Sequence, residues 1–382
     1  MLYLSGIIIS FFLAIVLLTK KHKSHADYIL MNWLIILGFH LVTFYFFFTN
    51  QQLDYPVLIA IGMSLPLVHG PFLYLYTYQQ TSAFPFNIKQ LLHFLPPLLS
   101  YMMFAKFYFL THEQQADVFR QLGKGFELQS MINVYAINMS GIVYVTLSLI
   151  RLLKYRRNMV QQFSNTERIN FNWLLYLIIW MVILWTIVLF VQKDNLIFGF
   201  ASLFVLWIGY FGIKQVQVFT QGPSKDANQK EPINEPKIVE EDRPVENETG
   251  SPLKYQKSTL TEEDASTIQE QLNKLMVEQK PYQDPDLTLD DLAKKLDVHP
   301  NYLSQVINSR ENKTFYDLVN EKRVNAFIKN ITQPTSQQYT MLAIALDCGF
   351  NSKASFNRNF KKYTGYTPSE YVKLAPVLPT TP

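Results

Sequence analysis

The stretch "YTMLAIALDCGFNSKASFNRNFKKYTG" (residues 339–365) contains two short helical patterns separated by a glycine. The first pattern ends before Gly349, which permits a sharp turn. The second begins after Ser352, a residue type that caps helix N-termini, and places Phe356 and Phe360 one turn apart on one face. The stretch therefore predicts a helix-turn-helix. The side chains expected to pack in its first helix are Leu342, Ala343, Ala345 and Leu346.

The second helix of this unit is predicted to turn a basic face outward. Between residues 340 and 375, five Lys and Arg side chains oppose Asp347 and Glu370, which leaves a net charge of +3. Such a surface suits phosphate contact with release of counterions. The side chains expected to face outward are Lys353, Ala354, Asn357, Arg358, Lys361 and Lys362.

A similar unit comes earlier, in "LTLDDLAKKLDVHPNYLSQVIN" (residues 287–308). It has an apolar first helix, a turn at Asp297 and a second helix begun by Pro300. Three aspartates oppose two lysines, so its net charge of −1 favours DNA less, although Arg310 and Lys313 follow.

Three threonines stand three residues ahead of an acidic residue, the spacing of a capping box. They predict helices over about 262–279, 289–296 and 368–374, and a longer helix is expected over about 314–330. The pairs are Thr261 with Asp264, Thr288 with Asp291 and Thr367 with Glu370.

The segments "LTLDDLAKKLDVHPNYLS" and "IALDCGFNSKASFNRNFKKYTGYTPSEY" together resemble the AraC-type (AraC/XylS) DNA-binding domain. The resemblance implies two recognition helices, joined by a long helix, that enter two adjacent major grooves of promoter DNA. It also implies which residues contact bases. These are Asn301, Ser304 and Gln305 in the first recognition helix, and Lys353, Ala354 and Arg358 in the second.

The chemistry of these side chains fits base recognition unevenly. Arg358 and Lys353 suit guanine O6 and N7, whereas Gln305 and Asn301 suit the adenine edge. Ala354 offers only a methyl contact.

The first 218 residues are strongly apolar, and a helix needs about 20 such residues to cross the hydrocarbon layer. Seven spans are predicted, with the N-terminus outside and the C-terminal domain in the cytoplasm, because the loops richer in Lys and Arg then lie inside. This places the chain in the inner (cytoplasmic) membrane. The spans are 2–19, 28–48, 57–78, 91–110, 131–150, 173–191 and 196–218.

His40 and His69 lie near the middle of two predicted spans and are candidate sensing residues, because ionisable groups at that depth often serve function. The alternative is that His69 bonds a nearby carbonyl and that Pro71 merely kinks its helix. Asn133 and Asn138 are expected to bond between helices. No HExxH, GxSxG or P-loop motif indicates catalysis, and we expect no catalytic residue, metal or cofactor.

The predicted fold is all-α: a membrane bundle of about seven spans (1–218), a disordered cytoplasmic linker with five prolines (219–257), a double helix-turn-helix domain (258–375) and a flexible tail (376–382). Its two helix-turn-helix units cover 287–308 and 340–363. The arrangement resembles a bacterial subgroup of membrane-embedded AraC-type regulators.

The leading hypothesis is a one-component regulator whose bundle senses a membrane or extracellular signal and whose tail binds promoter DNA. The alternative is a transporter or membrane enzyme with an accessory DNA-binding tail, in which transport or turnover would survive deletion of residues 253–382. Release of the tail by proteolysis is a third hypothesis. Expected partners are double-stranded DNA, RNA polymerase, the lipid bilayer, a signal ligand of unknown identity and, through the bundle, a second copy.

Overall fold

The structure is a computed structural model that describes residues 2–82, 85–165, 172–214, 260–333 and 338–374. These residues form helices and no β-strand. They separate into two compact units, one made of residues 2–153 and 172–214 and the other of residues 154–165 and 260–374. The predicted linker (219–257) and tail (376–382) lie outside the described residues.

Most helices of the first unit are apolar and pack around one main core. This core includes Leu17, Trp33, Leu73, Leu177 and Val205. The helices are α1 (Leu2–Thr19), α2 (His25–Phe48), α3 (Pro56–Ser64), α4 (Pro66–Gln80), α5 (Leu95–Met103), α6 (Ala105–Tyr108), α7 (His112–Arg120), α8 (Glu127–Gln162), α9 (Asn172–Thr186) and α10 (Asp194–Lys214), with a 3-10 turn over Ile88–Phe94 and a π-helical turn over Ile187–Val191.

Five helical segments of the described chain are long and apolar enough to cross a membrane. They are Leu2–Thr19, His25–Phe48, Glu127–Gln162, Asn172–Val191 and Asp194–Phe211. Helices α3 and α4 add a sixth if the pair is one span, bent by 43°. The bend comes at Leu65 and Pro66, not at Pro71, which lies inside α4. A proline at the start of α4 donates no backbone hydrogen bond to the preceding turn, so the helix breaks there.

The predicted fourth span, 91–110, is not one continuous helix. It is divided among the 3-10 turn, α5 and α6, and the backbone leaves the helical conformation at Phe104 (φ −90°, ψ 7°). The count of seven therefore stays a prediction, as does the outside location of the N-terminus, because an even number of spans would put both ends on one side.

Asn133 joins three helices, as expected of a polar residue within a bundle. Its side chain accepts a hydrogen bond from Ser100 Oγ at 2.7 Å and donates to the carbonyl of Met63 at 3.0 Å. The three residues lie on α8, α5 and α3. The predicted interhelical role is confirmed for Asn133 and stays a prediction for Asn138.

The second unit contains α11 (Glu262–Glu278), α12 (Leu289–Leu296), α13 (Pro300–Arg310), α14 (Phe315–Ile331), α15 (Met341–Asp347), α16 (Lys353–Thr364) and α17 (Pro368–Leu374). All three predicted capping boxes form, at Thr261, Thr288 and Thr367. Ser352 accepts a hydrogen bond from the backbone N–H of Ser355 at 3.0 Å and so caps α16. The capping chemistry thus sets the helix boundaries that the sequence predicts.

Helix α14 lies between two cores. On one side, Phe315 and Val319 pack with α11, α12 and α13. On the other, Val324 and Phe327 pack with Phe356 and other residues of α15 and α16. The inward face of α15 differs from the prediction, because Ile344 and Ala345 are buried while Leu342 and Leu346 are exposed. With only seven residues, α15 presents a single turn to the core, and that turn is centred on Ile344.

The predicted topology can be tested by cysteine labelling. With the buried Cys348 replaced by Ala, Gln121→Cys, in the loop after α7, should react with a membrane-impermeant maleimide in intact cells. Lys21→Cys should react only after permeabilisation, because its basic loop is expected to stay inside. The reverse pattern would contradict the predicted orientation.

Candidate functional site

Helix α16 presents the basic surface that the sequence predicts. Ser355, Phe356, Asn359 and Phe360 are buried beneath it. The opposite face carries four cations and no carboxylate, which suits an anionic partner. Its exposed side chains are Lys353, Ala354, Asn357, Arg358, Lys361 and Lys362.

A hydroxyl on the central helix holds two side chains of α16 in place. Tyr316 Oη accepts hydrogen bonds from Arg358 at 3.1 Å and from the buried Asn359 amide at 2.9 Å. Asn359 also donates to the carbonyl of Ser355 at 3.0 Å. Tyr316 and Asn359 therefore act as positioning residues for Arg358. Their roles are not apparent in the sequence, since they stand 43 residues apart.

Lys362 is less available than its neighbours for contact with an anionic partner. Its ammonium pairs with Asp317 at 2.6 Å, and Tyr363 Oη donates to the same carboxylate at 3.1 Å. Burial opposes ionisation of Asp317, but bonding to Lys362 and to the hydroxyls of Thr314 and Tyr363 holds its pKa below the usual value. Lys353 and Lys361 are exposed at the two ends of α16.

The corresponding helix of the first unit, α13, is weaker electrostatically. Asn301 is exposed, whereas Ser304 and Gln305 are half-buried. The nearby cations are engaged by acids: Arg310 pairs with Glu262, and Lys313 pairs with Glu321. This half of the domain thus offers hydrogen-bonding groups with little net positive charge.

Residues 161–165, the last two residues of α8 and the three after it, belong to this same unit. Gln161 and Asn308 exchange amide hydrogen bonds at 3.2 and 3.3 Å, and Asn308 also donates to the carbonyl of Ser304 on α13 at 2.8 Å. Phe163 forms an isolated antiparallel bridge with Thr288. The segment therefore touches both helices of the first helix-turn-helix unit.

The guanidinium of Arg323 joins this segment to α14 and to the loop before α12. It is 2% exposed and donates to the carbonyls of Tyr282 and Asp284, both at 2.7 Å, and to Ser164 Oγ at 3.1 Å. Ser164 Oγ in turn donates to the carbonyl of Leu287 at 2.7 Å. Burial lowers the pKa of Arg323 to about 10, and it remains protonated at neutral pH.

Gly349, predicted to permit the turn of the second unit, has φ +97° and packs against the same network. A Cβ at this position would collide with the carbonyl of Tyr282 and would lie 2.9 Å from Arg323 Nε. Glycine is therefore required here both for its backbone conformation and for the close approach.

In the first unit the structure brings the two candidate sensing histidines together. His40 Nδ1 lies 2.9 Å from His69 Nε2, and Trp33 Nε1 donates to His69 Nδ1 at 3.1 Å. Among the described residues, no group of three His, Cys, Asp or Glu side chains could hold a metal ion. The pair is thus part of a hydrogen-bonded chain across α2 and α4.

Comparisons with known proteins agree with the geometry of the second unit. A family model described as a helix-turn-helix domain matches residues 292–374. The melibiose operon regulatory protein of Escherichia coli (strain K12) is 29% identical over 92 residues, which are 24% of this chain and 30% of that protein. The protein of the same name from Escherichia coli O6:H1 gives the same values. The chain thus spans under a third of the length of these relatives. No solved structure matches it.

Two helix-turn-helix units around a shared long helix define the C-terminal unit as a DNA-binding domain of a transcription regulator. The domain is of the AraC type.

Two lysines of α16 are predicted to serve different tasks. Removing Lys361 by Lys361→Ala should weaken binding about equally for all sequences and lower the slope of log affinity against log salt by about 1. Lys353→Ala, at the helix end that faces base edges in such folds, should instead change sequence preference. Titrations of full-length protein in nanodiscs at several salt concentrations measure both. An unchanged slope for Lys361→Ala would contradict the phosphate assignment.

The link through Ser164 is expected to stabilise the second unit. Ser164→Ala leaves part of the buried Arg323 guanidinium without its acceptor, which should cost about 1–3 kcal/mol. Hydrogen exchange of the amides of residues 282–288 should then speed up. The exposed Ser309→Ala provides the matched control, and equal exchange in the two variants would exclude the role.

Proposed function

We propose that this protein is a membrane-embedded, one-component regulator that binds promoter DNA through α13 and α16 and responds to a signal received by the apolar unit. The proposal rests on one observation. In a single chain, helices long and apolar enough to cross a membrane precede an AraC-type domain whose helix α16 is basic and exposed to solvent.

Sequence-specific contact is assigned chiefly to α16. Arg358, positioned by Tyr316, and Lys353 suit guanine, while Asn357 adds an amide on the same exposed face. Lys361 is assigned to phosphate, and Lys362 contributes less because Asp317 pairs with it. Asn301, Ser304 and Gln305 of α13 would read the adjacent major groove through neutral hydrogen bonds, with Ala354 available for a methyl contact.

The route from membrane to DNA is assigned to the end of α8. Helix α8 is continuous from Glu127 to Gln162, and the segment directly after it supplies Ser164 to the Arg323 network. Because Asn308 links Gln161 to Ser304, a displacement at the end of α8 would reach the proposed base-reading face of α13. RNA polymerase and a second copy of the chain remain predicted partners.

The DNA-binding assignment can be tested on the full-length protein in nanodiscs. Fragments of the native genome are incubated with the protein, and the bound fragments are sequenced. We expect a shared sequence with two half-sites about ten base pairs apart, and its loss in the double variant Lys353→Ala, Arg358→Ala.

The matched control is Lys274→Ala with Lys329→Ala, which removes two exposed cations outside the recognition helices. Enrichment should survive in this control. Equal loss in both double variants would indicate a nonspecific charge effect and would refute the assignment of base contacts to α16.

A further inference from the structure

The first unit encloses a cavity of about 360 Å³ beside the two histidines. This volume lies within the roughly 300–1,000 Å³ range of small-molecule sites. Its wall is largely apolar, with Leu37, Phe44, Ile137 and Leu184 among the lining residues, together with His40 and His69. Asp194, which also lines the cavity, is exposed, so the cavity reaches the surface at the start of α10. We call this space the histidine cavity.

The hydrogen-bonded chain fixes which nitrogens of the histidines carry protons. An indole N–H can only donate, so His69 Nδ1 is an acceptor and the proton of this imidazole lies on Nε2. His69 Nε2 then donates to His40 Nδ1, which leaves the proton of His40 on Nε2. No described residue accepts a hydrogen bond from His40 Nε2. The cavity wall therefore includes an imidazole N–H donor.

Trp185 also lines the cavity, but its indole nitrogen is covered by surrounding atoms and has no hydrogen-bond partner among the described residues. It cannot meet a molecule in the cavity unless the ring shifts. The imidazole N–H of His40 is the donor left for an occupant, and it favours one with a hydrogen-bond acceptor.

The charges of the wall decide which acceptor is suitable. No Lys or Arg is among its described lining residues, and the ionisable carboxyl present is that of Asp194. A carboxylate would enter such an apolar space without a counterion, at high cost. A neutral carbonyl oxygen, as in a ketone, ester or lactone, also accepts a hydrogen bond from an N–H group. Because it carries no charge, it avoids the cost of burying a carboxylate.

We infer that the histidine cavity binds a neutral, lipid-soluble carbonyl compound, whose oxygen accepts a hydrogen bond from His40 Nε2–H. This inference rests on the proposed function for its biological meaning, because in that function the bound carbonyl compound is the signal that the apolar unit receives. Binding itself is a property of the apolar unit and is measurable without DNA.

The experiment uses full-length protein in phosphatidylcholine nanodiscs and benzophenone, a neutral ketone that inserts into nearby C–H bonds on irradiation and reacts readily at methionine. The labelled positions are read by mass spectrometry. Met181 is buried and lines the histidine cavity, whereas Met139 is exposed on the surface of α8. We expect saturable labelling at Met181 and non-saturable labelling at Met139.

Competition by two molecules of nearly equal shape isolates the hydrogen bond. Fluorenone carries a carbonyl and fluorene a methylene in its place. Fluorenone should suppress labelling of Met181 at about tenfold lower concentration than fluorene, the effect of one hydrogen bond worth about 1.4 kcal/mol. Equal competition by the two, or labelling spread over lipid-facing residues without saturation, would overturn the inference and indicate a crevice for acyl chains.

One variant locates the donor. In His40→Phe, which keeps a ring and removes the N–H, fluorenone and fluorene should compete at about the same concentration. His93→Phe, at a half-buried histidine that does not line the cavity, is the matched control and should keep the tenfold difference. A difference that survives in His40→Phe would overturn the assignment.

The wild-type comparison of fluorenone with fluorene does not depend on the folding of any variant. If Met181 is not labelled but DNA enrichment persists, this inference alone is refuted. If DNA enrichment is lost but Met181 is still labelled, the proposed function is refuted instead.

Discussion

The C-terminal unit depends on one buried cation. Arg323 projects from the long helix α14 and binds the backbone carbonyls of Tyr282 and Asp284 and the hydroxyl of Ser164. A desolvated guanidinium is costly unless its donors are matched, and here three acceptors from two separate segments match it. Gly349 packs against the same group, so the turn of the second helix-turn-helix unit is fixed by the network that also holds the first.

Local chemistry allowed much of this unit to be predicted from sequence. Thr261, Thr288 and Thr367 mark helix starts because a threonine followed by a carboxylate three residues later caps a helix wherever it occurs. The turn at Gly349 and the outward face of α16 were predicted for the same reason, since they depend on neighbours a few residues away. The sites of base contact follow from the resemblance and stay predictions.

Features that depend on distant residues could not be predicted from the sequence. Tyr316 and Arg323 read as ordinary members of an amphipathic helix, and only the fold shows that one positions Arg358 and the other binds Ser164. The exposure of Leu342 and Leu346 likewise depends on how a seven-residue helix meets its neighbours. In the apolar unit, Pro66 and Pro71 give similar local signals, yet the bend falls at Pro66.

The two histidines illustrate the same distinction. The sequence singled out His40 and His69 separately, as polar groups within apolar stretches. In the structure they bond each other directly, and Trp33 donates to His69, so the three side chains form one directed chain of hydrogen bonds. That chain ends at a cavity, and its direction follows from the fact that an indole N–H can only donate. A cavity and an exposed basic helix thus occur in one polypeptide, in separate units that each include part of the continuous helix α8.

In the proposed function, the domain binds DNA while it is part of a membrane-embedded chain. Formaldehyde crosslinking of intact cells tests this, followed by separation of membranes from the soluble fraction and sequencing of the DNA recovered with the protein from each. We expect promoter fragments to be enriched in the membrane fraction, together with the full-length chain. Enrichment confined to a shorter, soluble fragment, or absent from both fractions, would contradict it.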